Sequence, residues 1–357
     1  MRVAAFTKYD RQAASTRQRL LQFLPSLEAA GIAVDYHSLL GDGYVQGLVA
    51  GQRPSPAAVA GSYLRRLGQL LAPPDCDVIW VYAELFPFLP AQFERLAFLG
   101  GKPLIYDFDD AFFAAYQESP NALVRRGLGD KLEPLLRGAA ACTCGNDYLR
   151  DYAARFCERT LVVPTVVDTG LYRPLGQIDG NGPPTIGWIG SPSTWVDVRP
   201  LLPLLSDLHR ETGARFRAVG AGAAAAADRF EGLDLVDWSE AGEVAEVQAM
   251  DIGIMPVRDL PFQRGKSGYK LVQYMACGLP VVASPVGVNR QIVTEGVNGF
   301  LALDDGQWRE ALLQLIADAQ LRRRMGQAGR RLVEDSYSLA SQAPRLVELF
   351  QSVAASR

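Results

Sequence analysis

Residues Arg264–Val286 read RGKSGYKLVQYMACGLPVVASPV, a basic loop, a helix, a tight Gly-Leu-Pro stop and a buried strand. Lys266, Lys270 and Gln273 recur at helical spacing, which puts two ammonium groups and an amide on one side of the first turns. Leu271, Val272 and Met275 face elsewhere and are available for packing. Gly278 ends the helix and Pro280 forbids its continuation. Val281-Val282-Ala283 is short and wholly apolar, as a central parallel strand requires. A helix start that offers unsatisfied N–H groups, with lysines beside it, is an anion site. The expectation is a diphosphate held by Lys266, Ser267, Gly268, Tyr269 and Lys270.

The same alternation extends in both directions. Upstream, strand-like runs occur at Arg2–Phe6, Ala33–Ser38, Asp77–Tyr82, Pro103–Tyr106, Cys142–Cys144 and Leu161–Val163, with one helix expected over Thr16–Ala30 and another over Asn146–Phe156. Then Pro164–Pro174 and the Gly- and Pro-rich Gly176–Pro184 read as a linker. The alternation restarts at Thr185–Ile189, Arg215–Val219, Leu233–Val236 and Ile252–Met255, with helices near Pro200–Glu211 and Ala241–Ala249. Trp308–Leu349 reads as several amphipathic helices. Strands alternating with helices give an α/β fold of two doubly wound parallel sheets. The expected boundaries are 1–165 and 166–357, with the last helix able to return to the first domain.

Bulk properties narrow the function classes. The chain has 357 residues, 48% hydrophobic and 21% charged, the composition of a globular protein with two cores. A formal net charge of −3 gives no general attraction to nucleic acid. Five cysteines without framework spacing fit a reduced, cytoplasmic setting. No run approaches the roughly 20 apolar residues of a membrane span, so any membrane contact is expected to be peripheral.

Asp251–Pro256, Leu271–Ser284, Gly296–Leu301, Tyr337-Ser338 and the linker Pro164–Tyr172 together resemble the retaining glycosyltransferases of family 4, most closely over residues 160–340. The resemblance implies the GT-B fold, two Rossmann-like domains facing each other across a cleft. It also implies transfer of a sugar, with retention and without a bound metal or cofactor, from a nucleotide-diphosphate sugar to a hydroxyl of a saccharide or lipid-linked acceptor. The implied setting is synthesis of polysaccharides or glycoconjugates.

The chain departs from the family pattern at three places. Of the family's two glutamates around this helix, the one implied to hold the ribose hydroxyls is Gln273 here, and the one implied to hold the donor sugar aligns with Gly265. An amide keeps hydrogen bonding but loses charge assistance. The family's basic residues after the first strand of this half are replaced by Gly187–Trp195, where Gly190, Ser193 and Thr194 either approach phosphate or cap the next helix. The family's histidine near the reacting centre has no counterpart, since the two histidines are His37 and His209.

Ile105–Phe112 stands in that loop instead, with Asp107, Asp109 and Asp110 following a buried strand. Asp109 and Asp110, lying farther past the strand, are the candidates to orient or deprotonate the acceptor hydroxyl, against simple loop capping. Arg17 is either an anion contact or part of a basic helix face. Trp238 either lines a base pocket or packs in the core. Phe86–Leu99 reads as a core stripe, an acceptor surface or a membrane-facing one. Two further readings remain: a nucleotide-sugar epimerase on the same plan, and a non-catalytic nucleotide-binding relative.

Overall fold

The computed structural model describes residues 1–49, 52–72, 74–175 and 182–356. The expected linker residues Gly176–Asn181 lie outside this set. The chain forms two compact units. Unit 1 comprises Met1–Val166, Arg264–Ser267 and Leu339–Arg357, and unit 2 comprises Val167–Gln263 and Gly268–Ser338.

Unit 1 is built on six parallel strands: β1 (Arg2–Tyr9), β2 (Ala33–Leu40), β3 (Val78–Tyr82), β4 (Leu104–Phe108), β5 (Ala141–Cys144) and β6 (Thr160–Val162). Their spatial order is β2-β1-β3-β4-β5-β6. Every residue of β3, β4 and β5 is buried, which explains the apolar runs read at Asp77–Tyr82 and Pro103–Tyr106, while the buried polar residues are Asp107 in β4 and Thr143 in β5. The core combines Val3, Ala5, Val78, Trp80, Ile105 and Ala141 with Leu346, Leu349, Phe350 and Val353 of the last helix, Leu339–Ala355. Trp80 and Phe350 meet edge-on with ring centroids 5.1 Å apart.

The single helix expected over Thr16–Ala30 is in fact broken. Ala14–Arg19 and Leu24–Ala29 are helical, and a short 3₁₀ turn, Leu21–Phe23, joins them. Pro25 cannot donate to the preceding turn and so stands in the first turn of a new helix, as its second residue. Two helices that local pattern did not reveal, Asp42–Val49 and Pro56–Leu71, lie between β2 and β3.

Unit 2 contains β7 (Thr185–Ile189), β8 (Arg215–Val219), β9 (Leu233–Val236), β10 (Ile252–Met255), β11 (Val281–Ala283) and β12 (Gly299–Leu301). Their order, β12-β11-β10-β7-β8-β9, is the doubly wound arrangement, with the direction of winding reversing between β7 and β10. Open α/β sheets bind ligands outside the carboxyl ends of the strands at such a reversal. In unit 1 the reversal falls between β1 and β3.

Candidate active site

In unit 2 the carboxyl ends of β7 and β8 run into glycine turns that approach each other closely. A Cβ on Gly220, which has φ +79°, would stand 2.3 Å from the Gly190 carbonyl oxygen and 3.1 Å from the Cβ of Trp238, just beyond β9. One on Gly190 would strike the Trp188 ring. Only glycine lets these turns close and leaves bare backbone at the sheet end. Ser191 and Thr194 form a capping box on the 3₁₀ helix Pro192–Asp197, and the Ser193 hydroxyl pairs with that of Ser191 at 2.9 Å. Thr194 is thus engaged in capping, while exposed Ser193 lies on the surface of the first turn.

The helix of the anion-suited segment is shorter than its spacing predicts. It runs Tyr269–Ala276, preceded by Gly268 in the left-handed region at φ +69° with no side-chain cap. A Cβ at Gly268 would lie 2.6 Å from Ile292 Cδ1 and 2.9 Å from Val288 Cγ1. The left-handed turn corrects the expectation that Lys266 and Lys270 share a helix face: Lys266 precedes the helix and belongs to unit 1. Lys270 stays on the first turn, its ammonium 5.8 Å from the Trp188 ring centre. Tyr274 lies beneath the strand reversal, accepting from Ile189 N at 3.0 Å and donating to the Ile254 carbonyl at 3.3 Å. Gly253 leaves room for its ring.

Gln273 is not on an open face with the lysines. It is 3% exposed, and its Nε2 donates to Glu243 Oε1 at 2.7 Å and to the Tyr172 hydroxyl at 3.0 Å. Glu243 also accepts from the Tyr172 hydroxyl and, at 2.7 Å, from Trp238 Nε1. Burial, with the Glu243 carboxylate beside it, holds the Tyr172 phenol far above its usual range. A carboxylate therefore stands against the Gln273 amide. Sequence reasoning missed Glu243 because it lies 30 residues from Gln273 and no local pattern joins the two.

In unit 1 the three aspartates have different tasks, and Asp107, expected to follow the strand, is in fact part of β4, paired with Tyr82 of β3. Asp107 is buried and receives Arg19 Nε at 3.2 Å, a second Arg19 contact through Nη2 and the Thr143 hydroxyl at 2.6 Å. Burial raises its carboxyl pKa against the opposing pull of Arg19. Asp109 is 6% exposed and accepts from the Tyr82 hydroxyl at 2.6 Å and the Thr165 hydroxyl at 3.2 Å. Asp110, half-buried, is the member of the cluster that meets solvent most. Arg17 Nη1 donates to the Arg11 and Gln12 carbonyls at 2.9 and 3.0 Å, which ties down the loop after β1.

Arg264–Ser267 packs against these residues. Asn146, which caps the helix Asp147–Ala153, donates from Nδ2 to the Gly265 and Lys266 carbonyls at 2.9 and 3.1 Å. Gly265 lies so close to Ala111 that a Cβ there would approach its Cβ to 2.5 Å. Unit 1 thus assembles Asp109, Asp110, Lys266 and Ser267, with Arg17 set apart in its own loop. Unit 2 carries Gly190, Ser193, Thr194, Trp238, Gly268, Tyr269, Lys270 and Gln273. Among the described residues no group of three or more His, Cys, Asp or Glu side chains is placed to hold a metal ion.

The architecture is that of the GT-B glycosyltransferases. Sucrose-phosphate synthase from Thermosynechococcus elongatus matches over 100% of both chains with a TM-score of 0.75 at 14% identity. Anabaena HepE, solved in complex with UDP-glucose, matches over 98% of this chain and 99% of that one, with a TM-score of 0.72 at 15% identity. Residues 183–318, which lie in unit 2 apart from Arg264–Ser267, match the family model described as Glycosyl transferases group 1. A D-inositol 3-phosphate glycosyltransferase of Corynebacterium urealyticum is 34% identical over 114 residues, 31% of this chain and 25% of that protein. Spore coat protein SA of Bacillus subtilis is 30% identical over 80 residues, 22% of this chain and 21% of that one. The chain thus matches only a quarter or less of the length of these curated relatives.

Proposed function

We infer that this protein is a retaining glycosyltransferase that moves a sugar from a nucleotide-diphosphate sugar to an acceptor hydroxyl in polysaccharide or glycoconjugate synthesis. The observation that carries the reading is the uncapped helix start at Gly268, in a domain whose strand order reverses between β7 and β10. A diphosphate placed there meets the positive end of the helix, the N–H groups of its first turn and the Lys270 ammonium. As the bond to the sugar breaks, negative charge grows on the leaving diphosphate, and these fixed dipoles stabilise it more than they do the intact donor.

The bare turns at Gly190 and Gly220 allow the nucleotide to approach backbone, with Trp238 as a flanking ring. Glu243, braced by Gln273, Tyr172 and Trp238, supplies a carboxylate suited to accept hydrogen bonds from sugar hydroxyls. In unit 1, Asp110 is the better exposed group to orient or deprotonate the acceptor. Asp109, bonded through both oxygens, positions the loop that carries it. A saccharide acceptor, free or lipid-linked, fits this chemistry. Among the described residues no helix is long and apolar enough to cross a membrane.

The test is a thermal-shift panel with UDP, GDP, ADP, CMP and dTDP, with and without Mg²⁺, followed by product analysis with the matching sugar nucleotide. Selective stabilisation by one diphosphate is expected, because a ligand that binds only the folded chain raises its stability. A flat response would sink the reading, and epimerised donor in the absence of acceptor would replace it with an isomerase. Lys270→Ala is expected to lower turnover about 100-fold or more with the melting temperature nearly unchanged, as loss of a charge-stabilising donor does elsewhere.

A further inference from the structure

Lys8, near the carboxyl end of β1, and the loop Ala83–Leu89, which follows β3, lie at the strand reversal of unit 1. Ala83, at φ 64°, and Phe88, at φ 60°, are the non-glycine residues in the left-handed region among the described residues. A Cβ makes that region unfavourable, and a bulky side chain there is rare. Such backbone persists only where its surroundings over-determine it, and it concentrates at ligand sites.

The clamp that over-determines this loop is visible. Glu94 accepts from Leu85 N at 3.0 Å and Phe86 N at 3.1 Å, and Lys131 Nζ donates to the Phe86 and Leu89 carbonyls at 2.7 and 2.9 Å. The Glu94 and Lys131 side chains form an ion pair with neither exposed to water. The Tyr116 hydroxyl accepts from Phe88 N at 3.2 Å and donates to Glu84 Oε1 at 2.5 Å. Glu84 Oε2 lies 3.5 Å from Lys8 Nζ.

The product of this clamp is an aromatic ring held out in water. Phe88 is 71% exposed, whereas its neighbours Leu85 and Phe86 are buried. Lys8 Nζ lies 6.0 Å from the centre of the Phe88 ring and 5.2 Å from that of Tyr9. An apolar ring beside an ammonium suits a ligand with apolar faces and hydroxylated edges, the form of a pyranose. Glu84 balances the charge of Lys8, so the patch favours a neutral sugar over an anionic one.

We propose that Phe88 and Lys8 form a subsite for a neutral pyranoside at the end of the acceptor, with Glu84 and Tyr116 as positioning residues. This rests on the glycosyl-transfer reading and names the acceptor side of it. The test is saturation-transfer NMR on the full chain with the methyl glycosides of glucose, galactose, mannose and N-acetylglucosamine. At least one should receive transfer from the wild-type protein. Phe88→Ala should weaken that binding about fivefold, as expected for loss of one ring contact. Phe88→Tyr should retain it, and Lys8→Met should reduce it.

The nucleotide-induced thermal shift should be the same in all of these variants. Absence of transfer to every glycoside, or transfer indifferent to both Phe88→Ala and Lys8→Met, overturns the subsite. So does loss of binding to phosphatidylglycerol vesicles in Phe88→Ala with glycoside binding unchanged, since the ring would then serve a membrane surface. Glycoside binding that depends on Phe88 in a protein that no nucleotide stabilises would keep the subsite and remove the transferase reading instead.

Discussion

Glu243 illustrates how much a single polar side chain governs here. Its carboxylate accepts from Tyr172, Gln273 and Trp238, so three donors from different segments are satisfied by one group. Glu243→Gln keeps the volume but introduces two N–H donors where acceptors are needed. We expect a loss of about 1–3 kcal/mol, the penalty for leaving part-buried donors unsatisfied, measured by urea denaturation. Nucleotide binding should weaken in the same variant. The Arg19–Asp107 pair is a contrasting case: both partners are buried, so its worth lies in avoiding an orphaned charge more than in attraction. Asp109 and Asp110 are adjacent in sequence, yet only Asp109 is enclosed, which separates a loop brace from a candidate catalytic group.

Among the elements, the helix Tyr269–Ala276 depends on the residues that begin and flank it. Gly268 combines a left-handed backbone with contacts on Ile292 and Val288 that leave no room for a Cβ. Gly268→Ala is expected to cost about 1–3 kcal/mol through strain and overpacking. It should also weaken diphosphate binding, because the first turn would shift; calorimetric titration with the nucleotide identified in the panel reads this directly. The far end of the helix is closed by glycines as well. A Cβ on Gly326, in the helix Ala319–Ser336, would sit 1.8 Å from the Gly278 carbonyl oxygen, so that helix packs backbone to backbone against the turn that ends Tyr269–Ala276. That close approach fixes the direction in which the Tyr269–Ala276 helix presents its first turn.

For the molecule as a whole, the chain divides its core between two units, and its order is not the order of the units. The last helix, Leu339–Ala355, belongs to unit 1, where Phe350 is fully buried against Trp80. Phe350→Ala is expected to cost about 3–5 kcal/mol, typical of an emptied aromatic position in a core. Hydrogen-exchange mass spectrometry should then show reduced protection in β3 and in the last helix. Unchanged protection there would place the stability of unit 1 elsewhere.

The architecture followed from local pattern. Short, wholly apolar runs such as Val78–Tyr82 and Val281–Ala283 are buried on both faces of a parallel sheet, and a Gly-Leu-Pro stop is a local backbone constraint, so both survive any long-range arrangement. The anion-suited segment was found the same way, because its glycine, lysines and helix start are neighbours in sequence. Local pattern failed where a residue's task depends on what folds against it. Helical spacing put Lys266 and Gln273 on one face with Lys270; a left-handed glycine removed Lys266 from the helix, and burial turned Gln273 toward Glu243. The aromatic run Phe86–Leu99 gave no hint that Phe86 is enclosed while Phe88 stands in water. Polar groups find partners by proximity in space, 30 residues away for Gln273 and 88 for Asp107, and only the packed chain brings those residues together.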